Sequence, residues 1–258
     1  ISASTKSQEP ISKSNPKKLT KLPANPTEPK FPILSLVVSG GHTQLILMTD
    51  HFKYQVVGET QDDAAGEAFD KVARLLGLGY PGGPIISQKA HEHEIKSNFK
   101  KYILPRPMLH SKNFDFSFSG LKTAVLYTVK NYRKANNLNE NDKLPEDFVR
   151  ELAYEFQEAA TDVLTHKTIQ AAIKHNPKNI FLAGGVSANS NLREKLGQAI
   201  EKNIPQINYR LQPITYSTDN AAMIAVAASY RWEEMNSSQK EELLNTWKTL
   251  QTSAQLNL

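Results

Sequence analysis

The chain opens without apolar rhythm and acquires one abruptly at Phe31. From there Ile33 to Val38 forms the short apolar run of a buried strand, Gly40-Gly41 supplies a two-residue turn, and Thr43 to Met48 returns as a second strand. Together they predict a glycine-tipped β-hairpin. Tyr54 to Thr60 predicts a third strand. Between Asp63 and Leu76 the period becomes helical, with Ala65, Ala68, Phe69, Val72 and Leu76 on one face. A Gly/Pro loop from Gly79 to Pro84 precedes a polar helical stretch ending near Phe99, and a second loop carries Pro105-Arg106-Pro107 towards Phe114 to Gly120. Helical spacing resumes from Leu121 to Tyr132, lapses in a polar linker from Asn136 to Leu144, and runs from Pro145 to His175, a length that predicts more than one helix. Asn179 to Ala183 reads as a strand that enters Gly184-Gly185 and a helix from Ser187 to Lys202. Tyr209 to Leu211 is a further short strand. Ser217 or Thr218 would cap a last long helix through Ala225 to Met235, with Asp219 at its positive end. This order predicts an α/β fold with a mixed sheet and helices packed against it.

Composition narrows the chemistry. With 258 residues, 39% of them hydrophobic, the chain can bury a sizeable core. The absence of cysteine excludes disulfide scaffolds, zinc ribbons, iron–sulfur clusters and thiol nucleophiles. The longest apolar runs are too short to cross a bilayer and no signal-like segment opens the sequence, so a soluble protein with no membrane partner is expected. The cytoplasm is the expected compartment, though nothing in the residues separates it from an organelle. The formal charge is +5, but residues 1–30 hold six lysines against Glu9 and Glu28, which places +4 there and leaves the rest near neutral. That stretch also has five prolines, five serines and no aromatic residue. It reads as a disordered basic linker or insertion rather than a nucleic-acid arm, since nothing in it would stack on bases.

Four segments carry candidate chemistry. In Ser39-Gly40-Gly41-His42, two glycines would let backbone N–H groups approach a phosphate, although an ordinary hairpin turn needs them equally. Asp63, Glu67, Asp70 and Arg74 share a helix face. They suit either a solvated surface or a carboxylate, Asp70 above all, that accepts ribose hydroxyls. At Gly184-Gly185 a strand ends and a helix begins, the geometry in which α/β sheets bind ligands, and Asn189 in the expected first turn would read a base or a ribose. Asp219 is explained by the helix dipole alone. As a metal ligand it would need partners, and the chain contains no His-x-x-x-His pair.

Taken in order, VSGGHTQL, DDAAGEAFDK, GYPGGP, FSFSGLKTA, FLAGGVSANSNLR and STDNAAMIA resemble the tRNA adenosine threonylcarbamoyltransferase family, over about residues 31–235. The resemblance implies the actin-like ATPase fold shared by Hsp70 and sugar kinases, in which two similar halves close on a nucleotide, and implies that this chain is mainly the second half. It divides the chain into the linker (1–30), the actin-like half (31–235) and a C-terminal helical tail (236–258). The implied reaction moves a threonylcarbamoyl group from threonylcarbamoyl-AMP to N6 of the adenosine beside the anticodon, in tRNAs that read codons beginning with A. By the same resemblance Val37, Val38, Ser39, Gly40 and Gly41 contact the adenylate, Asp70 and Gly83 lie on the ribose side, Asn189 contacts the nucleoside, and Asp219 is one ligand of a mononuclear iron or zinc. No catalytic base is implied.

The histidine pair that supplies the other metal ligands in the family would lie just before the segment matching Phe31. A fragment that binds metal poorly and is inactive alone is therefore expected. Expected partners are tRNA, with a paralogous actin-like subunit and a small P-loop ATPase as in bacteria, or a kinase-like subunit elsewhere. Two rivals remain at this stage: a small-molecule carbamoyltransferase or kinase of the same superfold, and a non-catalytic binding module.

Overall fold

The computed structural model describes residues 30–96, 102–246, 249 and 251. The basic stretch is outside them up to residue 29, as is Phe99. The three expected leading strands are β1 (Ile33–Val38), β2 (Thr43–Asp50) and β3 (Lys53–Glu59), followed by α1 (Ala65–Leu75) and α2 (Gly82–Lys96). Then come α3 (Ser119–Ala135), α4 (Glu146–His175), β4 (Asn179–Ala183), α5 (Ser190–Asn203), β5 (Asn208–Leu211), α6 (Ala221–Glu234) and α7 (Ser237–Asn245).

The strands form one mixed sheet in the order β3-β2-β1-β4-β5. β1 is its axis. It pairs antiparallel with β2, Val38 facing Thr43, and parallel with β4, Val37 facing Ala183. Leu34, Leu36 and Val38 are fully buried, as the strand pattern requires. The parallel β1–β4 pair forces a long crossover, and the chain makes it through α1 to α4.

The Pro145–His175 pattern was expected to break, yet α4 is a single helix of 30 residues, roughly 45 Å long. No glycine or proline interrupts it. Its unfavourable threonines are accommodated because Thr161 and Thr168 donate their hydroxyls to the carbonyls of Gln157 and Leu164, one turn back. It stops where Asn176 turns left-handed (φ 45°), with Pro177 following. Phe156 of α4 meets Phe69 of α1 edge to face at 4.9 Å, joining the two helices across the core.

Other boundaries also shift. Asn220, rather than Ser217 or Thr218, caps α6, its side chain accepting from Met223 N at 3.0 Å. No residue of α6 is buried. Its C-terminal end is held by Tyr230 stacked on His51 at 4.5 Å and by Arg231 over the Phe52 ring. No helix among the described residues is long and apolar enough to cross a membrane.

Two of the six segments are tied together by one carboxylate. Asp62 accepts from the Phe118 and Ser119 backbone N–H groups at 2.8 and 3.2 Å, and from the Ser117 and Ser119 hydroxyls. It thus caps the start of α3 from a distant part of the chain, beside the Thr60–Phe116 bridge. Burial alone would raise its pKa, but these four bonds outweigh it and hold the carboxyl below its ordinary value.

A depressed carboxyl contributes stability that is present above its unfolded pKa of about 3.9 and is lost as pH falls through the folded value. Asp62→Asn is expected to flatten the acid limb of the pH–stability curve below about pH 5, read from urea midpoints. Phe156→Ala should cost about 3–5 kcal/mol in the same measurement at neutral pH, because it empties the contact between α1 and α4.

Candidate functional site

The β1–β2 turn is organised by Ser39, whose Oγ accepts from Gly41 N and His42 N at 3.3 and 3.0 Å. Its carbonyl accepts from Gly66 N at 3.1 Å, so the hairpin tip rests on the start of α1. The contact requires glycine: a Cβ at Gly66 would fall 2.6 Å from the Ser39 carbonyl oxygen. On the other side of β1, Gly184 has φ +89°, and a Cβ there would lie 2.3 Å from Val38 O. The strand-to-helix elbow after β4 is therefore pressed against the end of β1, beside the hairpin.

Between hairpin and elbow lies a cavity of about 330 Å³. Gly40 and Gly66 line it on one side, Gly185, Val186, Ala188, Asn189 and Ser190 on another, and Phe69, Asp70, Pro81, Gly83, Pro84 and Ser87 complete it. Of the predicted site residues, Gly40, Asp70, Gly83 and Asn189 are thus gathered from four separate segments. Val37 and Val38 lie within β1, Val38 fully buried, while Gly41 is exposed at the tip; none of these three, nor Ser39, lines the cavity.

Asp70 is the one charged residue among those lining the cavity. One of its oxygens accepts from Gly82 N at 2.7 Å, which ties α1 to the start of α2, and the other has no hydrogen-bond partner among the described residues. The acidic face expected on α1 therefore divides. Lys71 bridges Asp63 and Glu67 at the surface, while Asp70 turns to the glycine loop. An acceptor-only carboxylate beside apolar Phe69, Pro84 and Val186 suits a molecule with hydroxyl donors and a flat apolar body. A Cβ at Gly40 or Gly83 would meet nothing within 4 Å, so packing does not demand glycine at either position. Their bareness keeps the cavity open.

Asn189 is placed differently from expectation. The chain forms a short 3₁₀ turn over Gly185–Ala188 before α5 begins at Ser190, so Asn189 is the cap and Ser187 is not. Its Oδ1 accepts from Leu192 N at 2.9 Å, which accounts for an asparagine here on structural grounds. Its Nδ2 donates to Ser87 Oγ and Gln157 Oε1, each at 2.9 Å. Sequence reasoning missed both acceptors. Ser87 follows Gly83 by one helical turn, and Gln157 is a polar residue in the buried stripe of α4; these were the available signals.

Ser187 is buried beneath the elbow, within 3.1 Å of the Ser217 hydroxyl, and accepts from Gln212 Nε2 at 2.8 Å. Arg193 donates to the carbonyls of Ser187 and Gln212. The segment before α6 is fastened to the elbow by these bonds. Asp219, two residues on, is exposed and does not line the cavity. Among the described residues no group of three or more His, Cys, Asp or Glu stands ready to hold a metal. One exposed carboxylate is not a metal site, and the residues present do not fit the expected iron or zinc by themselves.

Gly184→Ala is expected to lower the urea midpoint by an amount equivalent to about 2–3 kcal/mol, through strain at a positive φ and collision with β1. Gly83→Ala, which meets open space, should leave that midpoint within about 0.5 kcal/mol.

The family model described as "TsaD: tRNA N6-adenosine threonylcarbamoyltransferase" matches residues 19–226. A protein of that name from Geobacillus thermodenitrificans is 49% identical over 202 residues, covering 78% of this chain and 55% of its own length. One from Geobacillus kaustophilus is 47% identical over 207 residues, covering 80% and 56%. One from Listeria welshimeri is 48% identical over 204 residues, covering 79% and 55%. The chain spans about half the length of the curated relatives it matches. A family model over residues 19–226, with relatives 47–49% identical over about four-fifths of the chain, leaves one conclusion: the chain belongs to the tRNA N6-adenosine threonylcarbamoyltransferase family.

Proposed function

We propose that this chain forms the adenylate-holding half of an actin-like threonylcarbamoyltransferase that modifies N6 of the adenosine beside the anticodon of tRNA. The observation that carries the reading is the cavity between hairpin and elbow, lined by the family's Gly40, Asp70, Gly83 and Asn189 together. The donor is threonylcarbamoyl-AMP, a mixed anhydride. The tRNA amine attacks the carbamoyl carbon, the bond to the phosphate oxygen breaks, AMP departs and the amine loses a proton.

In this scheme the Gly40 backbone N–H at the hairpin tip stabilises negative charge on the leaving phosphate, the Gly41 N–H being given to Ser39 Oγ. The free oxygen of Asp70 accepts the ribose hydroxyls, and Phe69, Pro84 and Val186 enclose the adenine. Val37, Val38 and Ser39 act at one remove. The two valines fix the end of β1, and the Ser39 hydroxyl sets the tip through Gly41 N and His42 N. A family metal, iron or zinc, would take Asp219 as one ligand, with its remaining ligands from outside the described residues, and would supply electrophilic activation when bound.

The five-stranded mixed sheet, with its glycine hairpin beside the β4 elbow, supports the actin-like assignment, with residues 31–235 as the half; of the helical tail expected over 236–258, α7 is described and residues 252–258 lie outside the described residues. Partners in this reading are tRNA, a paralogous actin-like subunit and a small P-loop ATPase or kinase-like subunit, in the cytoplasm.

Two measurements test the reading. Isothermal titration of AMP into the 258-residue chain should give saturable binding, weakened about 10–100-fold by Asp70→Ala, since a charged hydrogen bond is worth about 1.5–3 kcal/mol. Labelled threonylcarbamoyl-AMP should modify tRNA when the chain is co-expressed with the N-terminal half of a full-length member of the family, and not with the chain alone. No AMP binding, or no transfer by the two halves together with the partners, would sink the proposal. Transfer by the isolated chain would refute the claim that this half is inactive.

A further inference from the structure

We infer that Gln157, on α4 behind the cavity, is a positioning residue that locks the Asn189 amide so that only a hydrogen-bond acceptor faces the nucleotide, which selects the exocyclic amine of adenine. The inference rests on the reading of the cavity as an adenylate site and goes on to what decides the base.

A carboxamide has two N–H donors and an oxygen with two lone pairs. In Asn189 both donors are committed. One goes to Ser87 Oγ and one to Gln157 Oε1, each at 2.9 Å. The oxygen accepts from Leu192 N, also at 2.9 Å. Two of these three partners fix one orientation of the amide, and the Ser87 hydroxyl is compatible with it. Leu192 N is a donor and demands the oxygen, while Gln157 Oε1 is an acceptor and demands the nitrogen. Gln157 is 5% exposed, so water does not compete for its Oε1.

What remains for a ligand is the second lone pair of Asn189 Oδ1. A group that meets it must donate. The 6-amino group of adenine does so, whereas the 6-keto oxygen of hypoxanthine or guanine would set two acceptors against each other. Asp70, the charged residue lining the cavity, is likewise an acceptor and in this reading takes the ribose. That division leaves Asn189 to the base.

Without the Gln157 acceptor, one amide hydrogen loses its partner behind the cavity and the amide is free to turn a donor towards the nucleotide, so a keto oxygen is accommodated as well as an amine. Gln157→Glu keeps an acceptor at the same place, while Gln157→Leu removes it.

The test is isothermal titration of AMP and IMP, which differ at the 6 position, into the wild-type chain, Gln157→Glu, Gln157→Leu and Ser87→Ala. Wild type and Gln157→Glu are expected to prefer AMP by about tenfold or more, and Gln157→Leu by no more than about threefold. A helix defect would lower both affinities together and leave their ratio unchanged, so the ratio separates positioning from structure. If Gln157→Leu does not fold, Ser87→Ala decides, since it removes the other acceptor from an accessible wall and should also reduce the ratio. An unchanged ratio in the folded variants overturns the role of Gln157. Equal binding of AMP and IMP by wild type overturns the selection of the amine while the nucleotide site stands. Binding of neither by wild type removes the adenylate reading itself, and this inference with it.

Discussion

Gly184 sits where a Cβ would lie 2.3 Å from the carbonyl oxygen of Val38, and much of the molecule follows from that approach. It lets β4 run parallel to β1 up to the last residue of the strand and turn at once into the elbow. The same end of β1 opens into the hairpin, so two turns of opposite origin emerge side by side. The crossover that parallel pairing requires fills the space behind them with α1, α2 and α4, and these helices supply Phe69, Asp70, Ser87 and Gln157. The cavity is the gap that remains when a sheet axis feeds two glycine turns and its crossover helices close the rear.

The polar contacts around this gap divide by task. Asp62 ties two loops together and Asp70 ties α1 to α2, while Arg193, Ser187, Gln212 and Ser217 fasten the segment leading to α6 beneath the elbow. Each is buried or anchored at backbone groups, which is where a hydrogen bond contributes most and where its loss leaves an unmet donor. The ion pairs at the surface of α1, between Lys71 and its two carboxylates, contribute little by comparison.

Much of this was legible in the letters, for physical reasons that differ by element. The hairpin, α1 and β4 show clean periodicity bounded by glycine, because each buries one face and turns sharply. α4 was misread as interrupted, since hydroxyl donation one turn back is a local rescue that composition does not display. Asn189 was placed one step too far into its helix because a 3₁₀ turn intervenes, and such a turn differs from an α-helical start only in bond pattern. The relation of Asn189 to Ser87 and Gln157 was not legible, because it joins three segments far apart in sequence. Asp219 carried a family role in the letters, but in this structure it stands outside the cavity and without metal-binding neighbours among the described residues.

The distance in sequence between Gly40 and Gly185 has a kinetic meaning. No local contact can assemble a pocket whose walls sit at opposite ends of a crossover, so the pocket exists only after β4 has found β1 across the intervening helices. During synthesis the hairpin must wait, its β4-facing edge open, until the elbow has left the ribosome. The closed cavity is thus among the last features this chain acquires, and a peptide that ends short of β4 would keep the glycine tip yet have nothing to close against it.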